Sequence, residues 1–211
     1  MEHVRTGDLL LFACKKSHWT LFDAAIHYFT GSDYVHVGMI LVDPPFRNVP
    51  SGMYLWESGW EPTPDPQDGR LKLGVRLTPL SKLDVSASHL YIRRCAEPVS
   101  LSKLIAIHTE VYLKPYDVCL SDWLLAALRL DKQPQKTDRF WCSAFVSFVL
   151  TRLEWLAGTT DWSIVRPCDL SSGSKYLHWT ESAYGTDTHI SHSKWKRLVS
   201  GSSLYETPVV I

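Results

Sequence analysis

The sequence predicts an α+β fold in which an antiparallel sheet packs against helices, within one domain spanning 1–211. Three observations predict it. Short β-branched and apolar segments fill most of the first half of the chain, while helix-periodic segments dominate from Ser100 onward. The chain has 211 residues, a length that fits one domain. Its hydrophobic fraction of 45% and charged fraction of 21% are ordinary for a folded soluble protein and supply a core without disulfides or metals.

The elements follow in order. GDLLLF reads as a turn at Gly7 and then a buried strand. Ser17 is placed to cap a helix through His18, Trp19, Leu21, Phe22, Ala25, Ile26 and Phe29, with Gly31 as its stop. This helix is apolar on more than one face, which favours burial over a membrane-facing or partner-facing role. YVHVGMILV, at 34–42, is a strand by its β-branched content, and Pro44 and Pro45 break the chain after it. MYLWES, at 53–58, is the next strand. Pro62, Pro64 and Pro66 make 59–70 a loop, and strands are expected at 71–78 and 89–94. Ser100 starts a helix carrying Leu101, Leu104, Ile105, Ile107, His108, Val111 and Tyr112. Asp122 is placed to cap a second, WLLAALRL, and a strong helix begins at about Cys142. From about 158 to 211 the chain is expected to be irregular, with an edge strand or tail at 207–211.

Charge excludes one class of partner. The 22 basic and 22 acidic residues balance and no basic run stands out, so nucleic acid is not expected as a ligand. The opening MEHVRTGD is polar and the following apolar run is short, so neither a secretory core nor a membrane span is expected. Five scattered Cys without a CxxC read as reduced thiols in an intracellular, cytoplasmic setting. Cys14, Cys95, Cys119 and Cys168 are expected to be structural. His189 and His192 form an HxxH, but no nearby Cys or acid completes a metal site, so a solvated loop is expected and no metal or cofactor.

Three residues carry the candidate chemistry. Cys142 stands at the start of an apolar helix, where unpaired N–H groups and the helix dipole favour thiolate; the alternative is a buried packing thiol. His36 lies in an apolar strand, sharing a face with Gly38 and Ile40, and Gly38 leaves open space beside the ring; the alternative is a core histidine. Glu57 falls within an apolar run on the next strand and needs a partner if buried, a need His36 would meet; the alternative is an exposed strand-end acid. Trp56, Trp60 and Trp141 flank these residues, either lining an apolar groove or packing the core.

Six pieces in order resemble the permuted branch of the NlpC-type papain-like superfamily, the YiiX-like and poxvirus-protein-like group: GDLLLF, SDYVHVGMIL, LWES, KPYD, FWCSAFV and RPCDL. The resemblance implies a circularly permuted papain-like fold in which the His-bearing strand precedes the Cys-bearing helix. It implies Cys142 as nucleophile, His36 as general base and then acid, and Glu57 as the residue orienting the imidazole. Tyr116, in KPYD, becomes a candidate oxyanion donor, with a packing role as the alternative. The implied activity is a thiol peptidase or amidase working through a thioester acyl-enzyme. Acyl transfer or thioester hydrolysis on lipid substrates is the neighbouring activity. CSAF differs from the Asn-Cys-type signature of the lecithin:retinol acyltransferase-like group, which weighs against transfer. A non-catalytic lipid- or partner-binding module is the remaining alternative. The expected partner is a peptide, amide or lipid-ester substrate, and peripheral membrane contact through Trp-rich surface stays open.

Overall fold

A computed structural model of the chain describes residues 3–18, 24, 27–28, 30–117, 137–180 and 184–200. Strands β1 (Leu9–Cys14), β2 (Tyr34–Val42), β3 (Met53–Trp60), β4 (Leu73–Pro79) and β5 (Ser88–Cys95) come first. Helices α1 (Leu101–Val111) and α2 (Cys142–Arg152), strand β6 (Tyr184–Ile190) and helix α3 (His192–Ser200) follow. The strands form one sheet in the order β4-β3-β2-β1-β5-β6, and every neighbouring pair is antiparallel. The α+β class with an antiparallel sheet is therefore what the chain adopts.

Both faces of the sheet are covered, and the sequence of β1 shows why. Leu9 and Leu11 point to one face, Leu10 and Phe12 to the other, and all four are buried. On the first face Val37, Met39, Trp56, Val75 and Leu77 pack against Phe145 and Val149 of α2 and against Leu104, Ile107 and Val111 of α1. On the second face Leu10, Ile40, Leu55, Leu90 and Ile92 lie under Trp195 of α3. Helix α2 is buried along every residue from Cys142 to Leu150, so it is the central helix and its N-terminus is fixed by packing.

Between 158 and 200 the expected irregular chain is corrected. β6 pairs with β5, and α3 closes the second face. Only Ile190 of β6 is buried, so this edge strand carries no apolar alternation to read. The HxxH is likewise not a loop. His189 lies on β6 with its ring 5.3 Å from Tyr91, while His192 opens α3 with Nε2 3.5 Å from the Ser88 carbonyl. The helices expected at 18–29 and after Asp122, together with Cys119 and the 207–211 tail, lie wholly or largely outside the described residues.

One buried polar group has a consequence for stability. His108 of α1 stacks on Phe46 with centroids 3.7 Å apart, and among the described residues neither of its ring nitrogens has a hydrogen-bond partner. Burial holds its pKa down, to about 4, against an upward pull from Asp65. A histidine depressed on folding contributes stability above its unfolded value of about 6.5, and that stability is lost as pH falls toward the folded value. Urea denaturation is expected to show wild type losing about 2 kcal/mol more stability than His108→Phe between pH 7 and pH 5. An equal loss in the variant would place the acid sensitivity elsewhere.

Candidate active site

The site is assembled at the N-terminus of α2. The segment preceding the helix is stitched to β4 through 114–116: Val75 N–H donates to the Lys114 carbonyl at 2.9 Å, and Tyr116 N–H to the Leu73 carbonyl at 3.2 Å. Phe140 N–H donates to the Pro115 carbonyl at 3.1 Å. The Phe140 carbonyl accepts from Asp117 N–H at 3.1 Å and from the buried Ser58 hydroxyl of β3 at 2.6 Å. Trp141 then caps α2 with extended backbone, and Cys142 is its first helical residue. Its N–H has no acceptor within the helix, and it sits at the positive end of the helix dipole.

His36 lies near the start of β2, where β2 pairs with β1 through Phe12. The ladder between β2 and β3 runs only from Met39–Trp56 to Val42–Met53, so His36 and Glu57 lie beyond its end. His36 Nε2 is 2.6 Å from Glu57 Oε2. Glu57 is buried, and the His36 side chain is 26% exposed, so the pair is open on the imidazole side only. Cys142 acts on the same ring electrostatically, as one of the groups that raise its pKa. With Nε2 taken by Glu57, Nδ1 is the nitrogen left to exchange a proton with the thiol. Burial pulls the His36 pKa down. The charge and hydrogen bond of Cys142, with the hydrogen bond and charge of Glu57, outweigh it and hold the imidazole well above its ordinary 6.5.

Glycine matters here, but not at Gly38. A Cβ at Gly38 would lie 2.7 Å from carbons of Leu55, so the space beside that glycine is filled, which corrects the expectation from sequence. The close approach is at Gly59, where a Cβ would lie 3.3 Å from His36 Cε1 and 3.4 Å from Glu57 Oε2. The legible signal was Gly59 two positions after Glu57, on the same face of β3.

Tyr116 bridges to Phe140, two residues before Cys142. Burial first, then the charges of Cys142 and Asp117, push its phenol up, so it stays protonated and remains a hydrogen-bond donor. Trp56 is fully buried and Trp141 nearly so, which makes both core residues. Trp60 is 55% exposed and pairs across the ladder with Leu73, itself 49% exposed. The other described thiols are placed differently. Cys95 donates to the Glu97 carbonyl, and burial pushes it up to about 11; burial and the Asp169 charge also raise Cys168, which is part-exposed. Asp169 of RPCDL is a cap, accepting from Arg166 N–H at 2.9 Å.

Among the described residues no group of three or more His, Cys, Asp or Glu side chains converges as a metal site, and no helix is long and apolar enough to cross a membrane. No family model matches the chain, and no curated protein matches it in sequence. Among solved structures the chain is similar to the crystal structure of the metalloprotein yiiX from Escherichia coli O157:H7. The two are 21% identical over 72% of this chain and 67% of that one, with a TM-score of 0.40.

Proposed function

We infer that the chain is a cysteine-nucleophile hydrolase of amide bonds, a peptidase or amidase with a permuted papain-like arrangement. The observation that carries this reading is the His36 ring, held by Glu57 at 2.6 Å on one nitrogen and raised in pKa by both Cys142, at a helix N-terminus, and Glu57. Cys142 Sγ gives its proton to His36 Nδ1 and attacks the substrate carbonyl carbon. The oxyanion is met by the Cys142 N–H and the Tyr116 hydroxyl. His36 then passes its proton to the leaving amine as the C–N bond breaks, and a thioester remains. Water attacks the thioester, gives a proton to His36 and releases the acid, while the thiolate recovers that proton.

Mixing the protein with activated acyl esters and quenching early is expected to leave one acyl group on Cys142, located by peptide mass spectrometry. Cys142→Ala is expected to leave none. Tyr116→Phe is expected to slow acylation on the order of 10²-fold, the effect of losing one donor to the oxyanion. Acyl groups spread over Cys14, Cys95 and Cys168, with Cys142 bare, would remove the reading. A second reading, acyl transfer or hydrolysis on lipid esters, is favoured by the exposed Trp60–Leu73 pair beside the segment that carries Tyr116. Faster acylation by long-chain than by short-chain esters, lost in Trp60→Ser, separates it from amide hydrolysis.

A further inference from the structure

We propose that Thr78 and Arg76 form a positioning relay that sets the Glu57 carboxylate against His36 and ties it to the proline-bearing loop after β3. The proposal rests on the catalytic reading above and extends it to two residues that touch no substrate.

The geometry runs outward from the imidazole. Glu57 uses Oε2 for His36 and Oε1 for Thr78, whose hydroxyl is 2.6 Å away. The direction of that second bond is fixed by a third. Thr78 Oγ1 accepts from Arg76 Nε at 3.0 Å, so the hydroxyl proton is left to point at Glu57. Arg76, opposite Glu57 in the β3–β4 ladder, is only 1% exposed. Its other donors go to backbone carbonyls: Glu61 at 3.0 Å, Lys72 at 3.2 Å, and Thr63. Each of these acceptors is a neutral oxygen. Its planar fork holds both ends of the loop that leaves β3 and returns to β4.

Two physical consequences follow. A buried carboxylate with one oxygen unpaired would be free to rotate or to take up a proton, and either change weakens its hold on the ring. Thr78 removes that freedom through a charge-assisted hydrogen bond. Arg76 makes the arrangement depend on loop 61–63, so the loop that borders the site and the carboxylate behind the imidazole move as one body. The charged groups acting on His36 are Cys142 and Glu57, and Glu61 also lies within its field.

The test uses the full chain and two readouts: the NMR titration midpoint of the His36 ring, and the rate of iodoacetamide alkylation of Cys142 at pH 6. Thr78→Val keeps the shape and removes the hydroxyl. It is expected to lower the His36 midpoint and to slow alkylation about tenfold, while Thr78→Ser returns both toward wild type. Arg76→Lys keeps the charge but not the fork and is expected to lower the midpoint as well. If Thr78→Val does not fold, Thr78→Ala against Thr78→Ser gives the same comparison, one hydroxyl apart. A merely structural Thr78 would lower the melting temperature and leave the midpoint of the folded protein unmoved. That result, or a serine variant as impaired as the valine one, overturns the relay, and an unmoved midpoint in Arg76→Lys removes Arg76 from it. The midpoint decides this even if wild-type Cys142 proves unreactive, an outcome that would instead count against the catalytic reading.

Discussion

In His36→Ala, alkylation of Cys142 by iodoacetamide at pH 6 is expected to fall about a hundredfold, and any acyl-transfer turnover by roughly 10²–10⁴. The imidazole and Cys142 act on each other electrostatically. The raised pKa of the imidazole means that it is still protonated where an ordinary histidine would be half neutral. Peptide mapping supplies the controls within the same molecule. Cys95 is pushed up to about 11 and hydrogen-bonded to the Glu97 carbonyl, so it is expected to stay a thiol and label slowly. Cys168 is the sharper control because it is more exposed than Cys142, which is only 6% exposed. Accessibility alone predicts that Cys168 labels first; an activated Cys–His pair predicts that Cys142 does. Should Cys168 lead, and His36→Ala change nothing, the isolated protein holds no activated thiol. A binding module on the same fold would then be the better description.

The parts of the site that could be read in the sequence are those where a polar residue interrupts an apolar strand or opens an apolar helix. His36 within YVHVGMILV, Glu57 after MYLW and Cys142 ahead of SAFVSFVL are each conspicuous for that reason. The pairing of His36 with Glu57 followed from placing them on successive strands, and the β2–β3 hairpin brings them to 2.6 Å. Thr78 and Arg76 were not legible. LGVRLTP reads as an ordinary strand, and only the ladder register sets Arg76 opposite Glu57 and Thr78 beside it. The core helix α2 was visible because its apolar residues run continuously. β6 was not, because a half-exposed edge strand such as YGTDTHI leaves only Ile190 buried. α3 had a fainter signal. Ser191 precedes the helix, and Trp195, Leu198 and Val199 follow at helical spacing. Three apolar positions among lysines and serines weigh little until β5 and Leu80 are seen beneath them.

Glu57→Gln is expected to destabilise the protein by about 2 kcal/mol at pH 6 and to slow the chemistry on the order of 10². The substitution keeps the shape and leaves an amide oxygen for Thr78, but it removes the charge and turns an NH2 donor, in place of an acceptor, toward His36 Nε2. A buried carboxylate facing an imidazolium is worth more than an exposed pair, but the His36 side is partly open to solvent, which discounts the figure. The pH dependence gives the sign. His36 is raised on folding, so the stability its charge contributes is fully present below its unfolded value of about 6.5. That stability is lost as pH rises through the higher folded value. The gap between wild type and Glu57→Gln in urea denaturation is therefore expected to be widest below pH 6.5 and to close as the medium becomes alkaline. A gap of constant size across that range would mean that Glu57 acts through shape and hydrogen bonding alone. The raised imidazole would then be owed to Cys142, the other group that raises it. Repeating the series in Cys142→Ala separates the two, because only the Glu57 contribution survives there.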